Sequence, residues 1–164
     1  MTPAQLATLK TAVLADAVLA ALPATADSAY AIADAMNAEA APVYVVWRTS
    51  VPIEEIMANG FVWTEIDALS AGKARIWQWM SQLGAINPSK GNVRQGLRDC
   101  FESAAPGTFG DRLAGTGGLQ PHLRRNATRG EKLYATGTGS ASGPALLGYE
   151  GRISPQDVLQ AMGW

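Results

Sequence analysis

Proline, glycine and capping residues divide this chain into short pieces, and that punctuation limits its fold more than any motif it carries. Thr2-Pro3-Ala4-Gln5 reads as a capping box with proline at the first helical position. Leu6, Leu9, Val13 and the pair Ala17/Val18 then repeat at helical spacing until Pro23 stops the run. Asp27 is the expected cap of a second, alanine-rich helix to about Ala38, which Ala40-Ala41-Pro42 breaks. "VYVVW", from Val43 to Trp47, is β-branched and aromatic and predicts a short strand or extended segment. Pro52 opens a short helix that Gly60 ends, and Ser70 is placed to cap "AGKARIWQWMSQL", which Gly84 closes. "NVRQ", Asn92 to Gln95, reads as a further capping box leading a helix to about Ser103. A short helix around Asp111 to Ala114, a flexible joint at Gly115 to Gly118 and a helix from Pro121 to about Ala135 follow. Ser154-Pro155-Gln156-Asp157 then starts a terminal helix ending at Gly163-Trp164.

The expected fold is therefore mainly α: a compact bundle of six or seven short helices with one or two short extended segments and a glycine-rich loop. Residues 1–164 read as a single helical domain, with the glycine-rich loop and a short strand at 135–151 and a docking helix at 154–164. At 164 residues and 48% hydrophobic content the chain can bury a sizeable core. Only 16% of residues are charged, against roughly 25% in ordinary soluble domains, which suggests a surface partly covered by partners. No apolar run approaches the roughly 20 residues that span a bilayer, and Met1-Thr2-Pro3 lacks the features of a signal peptide. A soluble, intracellular protein with no membrane contact is expected. The single Cys100 excludes an internal disulfide, and with His122 as the only histidine no Cys/His zinc site is expected.

Charge is unevenly spread. Residues 1–70 hold Lys10 and Arg48 against eight acidic residues, whereas residues 71–164 hold eleven basic against six acidic. The two halves either neutralise one another within one fold or meet head to tail between subunits, a contact that closes into rings.

Gly137-x-Gly139-x-x-x-Gly143 invites comparison with phosphate-cradling loops, which need a strand leading in and a helix leading out. Here the preceding "HLRRNATRGEKLYA" reads as helix and the following "ALLGYEGRIS" as extended, and no P-loop lysine is present. A mobile surface loop with Gly137 as a left-handed helix cap is the expectation, with no cofactor. Nothing in the spacing of Cys100 and His122 pairs them as nucleophile and base, and Glu54, Glu55, Glu65 and Asp67 read as solvated helix ends. No catalytic or metal-binding constellation emerges.

Partner contacts are better marked. His122, Arg125, Arg129 and Lys132 recur as one basic stripe on the helix from Pro121, with Leu119, Leu123, Ala127, Gly130 and Tyr134 on another face. The stripe is either a solvated face or meets an acidic neighbour or a nucleic-acid backbone. Trp77 and Trp79, two apart, cannot share one helix face, so at least one is exposed or interfacial. The terminal helix is too short to stand alone, so Val158, Leu159, Met162 and Trp164 pack either on their own domain or, as expected here, in a partner's groove.

Four stretches carry a family resemblance: "VWRTSVP" (Val46 to Pro52), "NVRQGL" (Asn92 to Leu97), "RRNATRGEKLYATGTGSASGPALLGYEGRIS" (Arg124 to Ser154) and "QDV" (Gln156 to Val158). Together they resemble small tailed-bacteriophage proteins of the head and head–tail morphogenesis region. The resemblance implies a non-enzymatic virion protein, present in the host cytoplasm during assembly. Within that region, a mainly helical subunit of this size resembles head–tail connector adaptors, which ring the space between portal and tail. The implied partners are further copies of the chain, the portal protein, tail proteins and DNA in the channel. A capsid-decorating, tail-terminating or tail-completion protein is the alternative within that group. A small DNA-binding or regulatory module using the basic helix is the alternative outside it.

Overall fold

Thr2 caps the first helix as its sequence predicts in the computed structural model, which describes residues 1–58, 62–101 and 123–164. Its hydroxyl accepts from the Gln5 N–H at 3.2 Å, the Gln5 side chain accepts from the Thr2 N–H at 2.9 Å, and Pro3 opens α1 (Pro3–Ala15). Asp16 interrupts the periodic run. Its carboxylate accepts from the Val18 and Leu19 N–H groups at 2.9 and 3.1 Å, and the chain restarts as α2 (Ala17–Ala20). Thr25, not Asp27, caps α3 (Ala26–Asn37). The threonine hydroxyl takes the Ser28 N–H, which leaves Asp27 in the first turn, where its charge faces the positive helix end.

The chain is mostly helical with a little strand, and its elements fall into two compact units that are interleaved in sequence. The first comprises Met1–Tyr44, Asn126–Gly137 and Leu147–Trp164. It holds α1 to α3 together with α8 (Arg129–Tyr134) and α9 (Pro155–Met162). Leu9 and Val13 of α1, Ile32 and Met36 of α3, Val158 of α9 and Ile153 just before it form its core. Each contributes about 1.5–3 kcal/mol by leaving water. Asn37 clamps the approach to α9, donating to the Ile153 carbonyl and accepting from its N–H, both at 2.8 Å.

The terminal helix is thus held by its own unit. The partner groove expected for Val158, Leu159 and Met162 is supplied by α1 and α3: Val158 is buried, and Leu159 and Met162 are half-buried against the same core. The reason is the cap. Ser154 and Asp157 exchange bonds at 3.1 and 2.9 Å, which turns the 158/161 face inward, and Gly163 (φ +76°) ends the helix and leaves Trp164 partly exposed.

The second unit comprises Val45–Arg125 and Thr138–Leu146. β1 (Val45–Trp47) forms as "VYVVW" predicts and pairs with β4 (Arg124–Asn126). β2 (Val51–Pro52) runs antiparallel to β3 (Ala85–Ile86), with Val51 opposite Ile86. α4 (Ile53–Ala58), α5 (Trp63–Asp67), α6 (Ala71–Gln82) and α7 (Gly91–Phe101) surround a core that includes Val51, Ile56, Trp77, Ile86, Leu97, Phe101 and Leu123. The Trp77 and Phe101 rings meet edge to face at 5.7 Å. Ser70 stands at the N-cap of α6 without a side-chain bond, and Gly84 (φ +72°) closes that helix. α7 begins at Gly91 with the Arg94 N–H on the Lys90 carbonyl at 3.2 Å, so Asn92 lies inside the helix and does not cap it. Gly60, the expected end at Ser103, the 111–114 helix, the 115–118 joint, Pro121 and His122 lie outside the described residues.

Candidate interaction surface

Among the described residues, from Leu123 onward, the basic stripe expected on a helix from Pro121 does not form. Leu123 is buried, Arg124–Asn126 is strand, and a new helix starts only at Arg129. The cause is another capping box. Thr128 accepts from the Glu131 N–H at 3.1 Å and Glu131 accepts from the Thr128 N–H at 3.0 Å, while the Ala127 N–H is drawn to the Tyr44 carbonyl at 2.8 Å. The basic residues therefore separate. Arg125 sits half-buried on β4, and Arg129 pairs with Asp16 at 2.6 Å. The Lys132 ammonium lies 5.4 Å from the centre of the Tyr44 ring. The Arg129 guanidinium, followed by the Leu19 N–H, holds the Asp16 carboxyl below the usual aspartate range.

Residues 135–151 are fastened rather than loose. Ala135, extended, caps α8, so Gly137 (φ +130°) is not the helix cap. The Tyr44 hydroxyl donates to the Gly137 carbonyl at 2.8 Å, and the Val45 N–H donates to the Gly139 carbonyl at 2.7 Å. Ala145 bridges Val46 in parallel fashion, with Ala145 N–H to Val45 carbonyl at 2.9 Å and Trp47 N–H to Ala145 carbonyl at 3.0 Å. Between them the Thr138 hydroxyl donates to the Gly143 carbonyl at 2.8 Å, and the Gly143 N–H donates to the Ser140 hydroxyl at 3.0 Å. Arg124 donates to the Ala141 carbonyl at 2.9 Å. The segment lays its backbone along β1, and its hydroxyls close its own turn. Gly139 takes φ +65°, which an L side chain resists.

Titratable groups of the two cores have structural employment. Burial first, and then Asp99, pushes the Cys100 thiol up to about 11, so it is protonated at neutral pH. Glu131, only 2% exposed, also accepts from the Gly151 N–H at 3.3 Å and so ties α8 to the turn before α9. Of the carboxylates weighed from sequence, Glu55 is engaged by Arg48 through two bonds, one at 2.8 Å. Arg94 stacks on the Trp47 ring at 4.8 Å and donates to the Pro88 and Ser89 carbonyls. Among the described residues no three His, Cys, Asp or Glu side chains gather to hold a metal ion.

Several large apolar and aromatic side chains also point outward. Trp77 is buried while Trp79 is 62% exposed, the division that their two-residue spacing predicts. Leu83, one turn on, is 71% exposed, and Trp63 on α5 is 65% exposed. In the first unit Tyr30 is 62% and Val18 75% exposed. Tyr30 lies between Asp27 and Asp34 on the outer face of α3. The i, i+3, i+7 spacing of these three is a helical signal present in the sequence. Compared with protein-family models, curated proteins and solved structures, the chain matches none.

Proposed function

We propose that the chain is a non-enzymatic virion protein of tailed bacteriophages, a head–tail connector adaptor that repeats as a ring between portal and tail. The observation that carries this reading is the placement of Trp79, Leu83 and Tyr30 on outer helical faces, away from either core, in a chain with few charges. Large apolar side chains left exposed on a thinly charged surface are the usual mark of a protein–protein contact. The four stretches that resemble phage morphogenesis proteins supply the class of assembly. Neighbouring copies, the portal and tail proteins are its partners, DNA passes through the ring, and the glycine-rich segment 135–151 contributes to subunit contact. The alternative of a DNA-binding module drew on a continuous basic helix, and the separation of Arg125, Arg129 and Lys132 removes that support.

Electron microscopy of particles carrying an antibody-labelled copy tests the proposal. Label at the neck is the expected result. Label over the head surface or along the tail moves the chain to the decorating or tail-completion alternative, and particles without the protein overturn the virion reading.

A further inference from the structure

Two outward helical faces on this chain are matched in charge and in shape of residue. On α3, Asp27, Tyr30 and Asp34 line up at i, i+3 and i+7, and the helix carries no Lys or Arg. On α6 and its cap, Arg75, Trp79 and Leu83 line up at i, i+4 and i+8, and the helix carries no Asp or Glu. All six side chains are exposed. None of Asp27, Tyr30, Asp34, Arg75 and Trp79 makes a side-chain hydrogen bond or ion pair with the described residues. The units that bear them differ in the same sense. The first has four Lys or Arg against seven Asp or Glu, and the second nine against seven.

We propose that the α6 face of one copy seats on the α3 face of the next copy, with Arg75 between Asp27 and Asp34 and with Trp79 and Leu83 against Tyr30. This rests on the proposed function, in that it takes the occupant to be a second copy of the chain. Charge complementarity selects that occupant. An α6 face meeting its own symmetry mate would gather two Arg75 side chains and no acid into one contact, and two α3 faces would gather four aspartates and no base, so each face is better matched by the other than by itself. Because the two faces differ, the contact is heterologous. Every copy offers one free face of each kind, and the series ends only by closing into a ring or continuing as a filament. The aromatic and leucine side chains supply the attraction, and the charges fix the direction.

Sedimentation equilibrium of the full chain over a concentration series tests this, with far-UV circular dichroism to check that each variant is folded. Arg75→Glu places an acid against two acids and Asp34→Arg a base against a base. Each is expected to weaken self-association by about tenfold or more, and the chain carrying both is expected to recover to within about threefold. The milder Arg75→Gln and Asp34→Asn report the same contact, at about threefold each, should a reversal disturb folding. Self-association that both single reversals leave unchanged, or that the double reversal does not recover, overturns this contact while the ring reading stands. A wild-type chain that stays monomeric at every concentration overturns both.

Discussion

Gly72 and Gly130 both stand in helices, but only one of them is there to leave room. A Cβ on Gly72 would meet nothing within 4 Å, whereas a Cβ on Gly130 would lie 2.5 Å from Ile153 Cδ1 and 3.1 Å from the Met36 carbonyl oxygen. Ile153 is buried and clamped by Asn37, so it has little freedom to withdraw. Gly130→Ala should therefore lower stability by about 1–3 kcal/mol. Gly72→Ala should raise it by up to about 1 kcal/mol, because alanine loses less freedom in a helix. Thermal denaturation of the two variants reads the contrast directly, and equal melting temperatures would sink it. Cys100 tests the second core at the same scale. A buried thiol raised to about 11 should resist a thiol reagent at pH 8, where an ordinary exposed cysteine reacts at once, and should react fully when denaturant is added. Neither role is readable from sequence. The neighbour that makes Gly130 obligatory lies far along the chain, and the burial of Cys100 depends on α6 and α7 meeting.

At the scale of elements, local signals are legible in the sequence and non-local ones are not. The caps at Thr2 and Ser154, the strand at Val45 and the stop at Gly84 depend on residues within a turn of each other, and each falls where the sequence places it. The segment after Pro121 misled for the opposite reason. Its basic residues have helical spacing, but the Tyr44 carbonyl claims the Ala127 N–H and Thr128 restarts the helix, and neither preference shows in a single periodicity. The terminal helix makes a test of this scale. It supplies Val158 and Ala161 to the first core. Truncation should therefore unfold that unit, and Ser154→Ala alone should cost about 1 kcal/mol, both measured by loss of helical signal on heating. The same cap sets a pH dependence. Burial raises the Asp157 carboxyl, but the Ser154 hydroxyl and N–H bonds and the Met1 ammonium at 3.4 Å outweigh it, and the net value is lowered. A carboxyl lowered on folding stabilises above its unfolded value, about 3.9, and that contribution is lost as pH falls through the folded value. Melting temperature should thus fall more steeply on acidification below about pH 4 in the wild type than in Asp157→Asn; parallel curves would deny Asp157 that role.

The whole molecule explains why the charge contrast between sequence halves is only part of the physical one. The halves divide at residue 70, whereas the units exchange segments, so Arg129 and Lys132 of the basic half belong to the acidic unit and Arg129 neutralises Asp16 there. Interleaving also means that neither unit is a continuous piece of chain. Residues 1–44 hold α1 to α3 but lack Ile153, Val158 and Ala161 and the whole of α8, against which α1 and α3 pack. Helices of 13 and 12 residues are marginal in water on their own. Their caps lower the cost of starting a helix but bury no apolar surface, so they cannot replace the missing core. A 1–44 peptide should accordingly show little helix by far-UV circular dichroism, and an excess of a 126–164 peptide should restore it by returning α8, α9 and the Asn37–Ile153 clamp. A 1–44 peptide that is fully helical alone would mean that local capping, not the returning C-terminal segments, holds the first unit together.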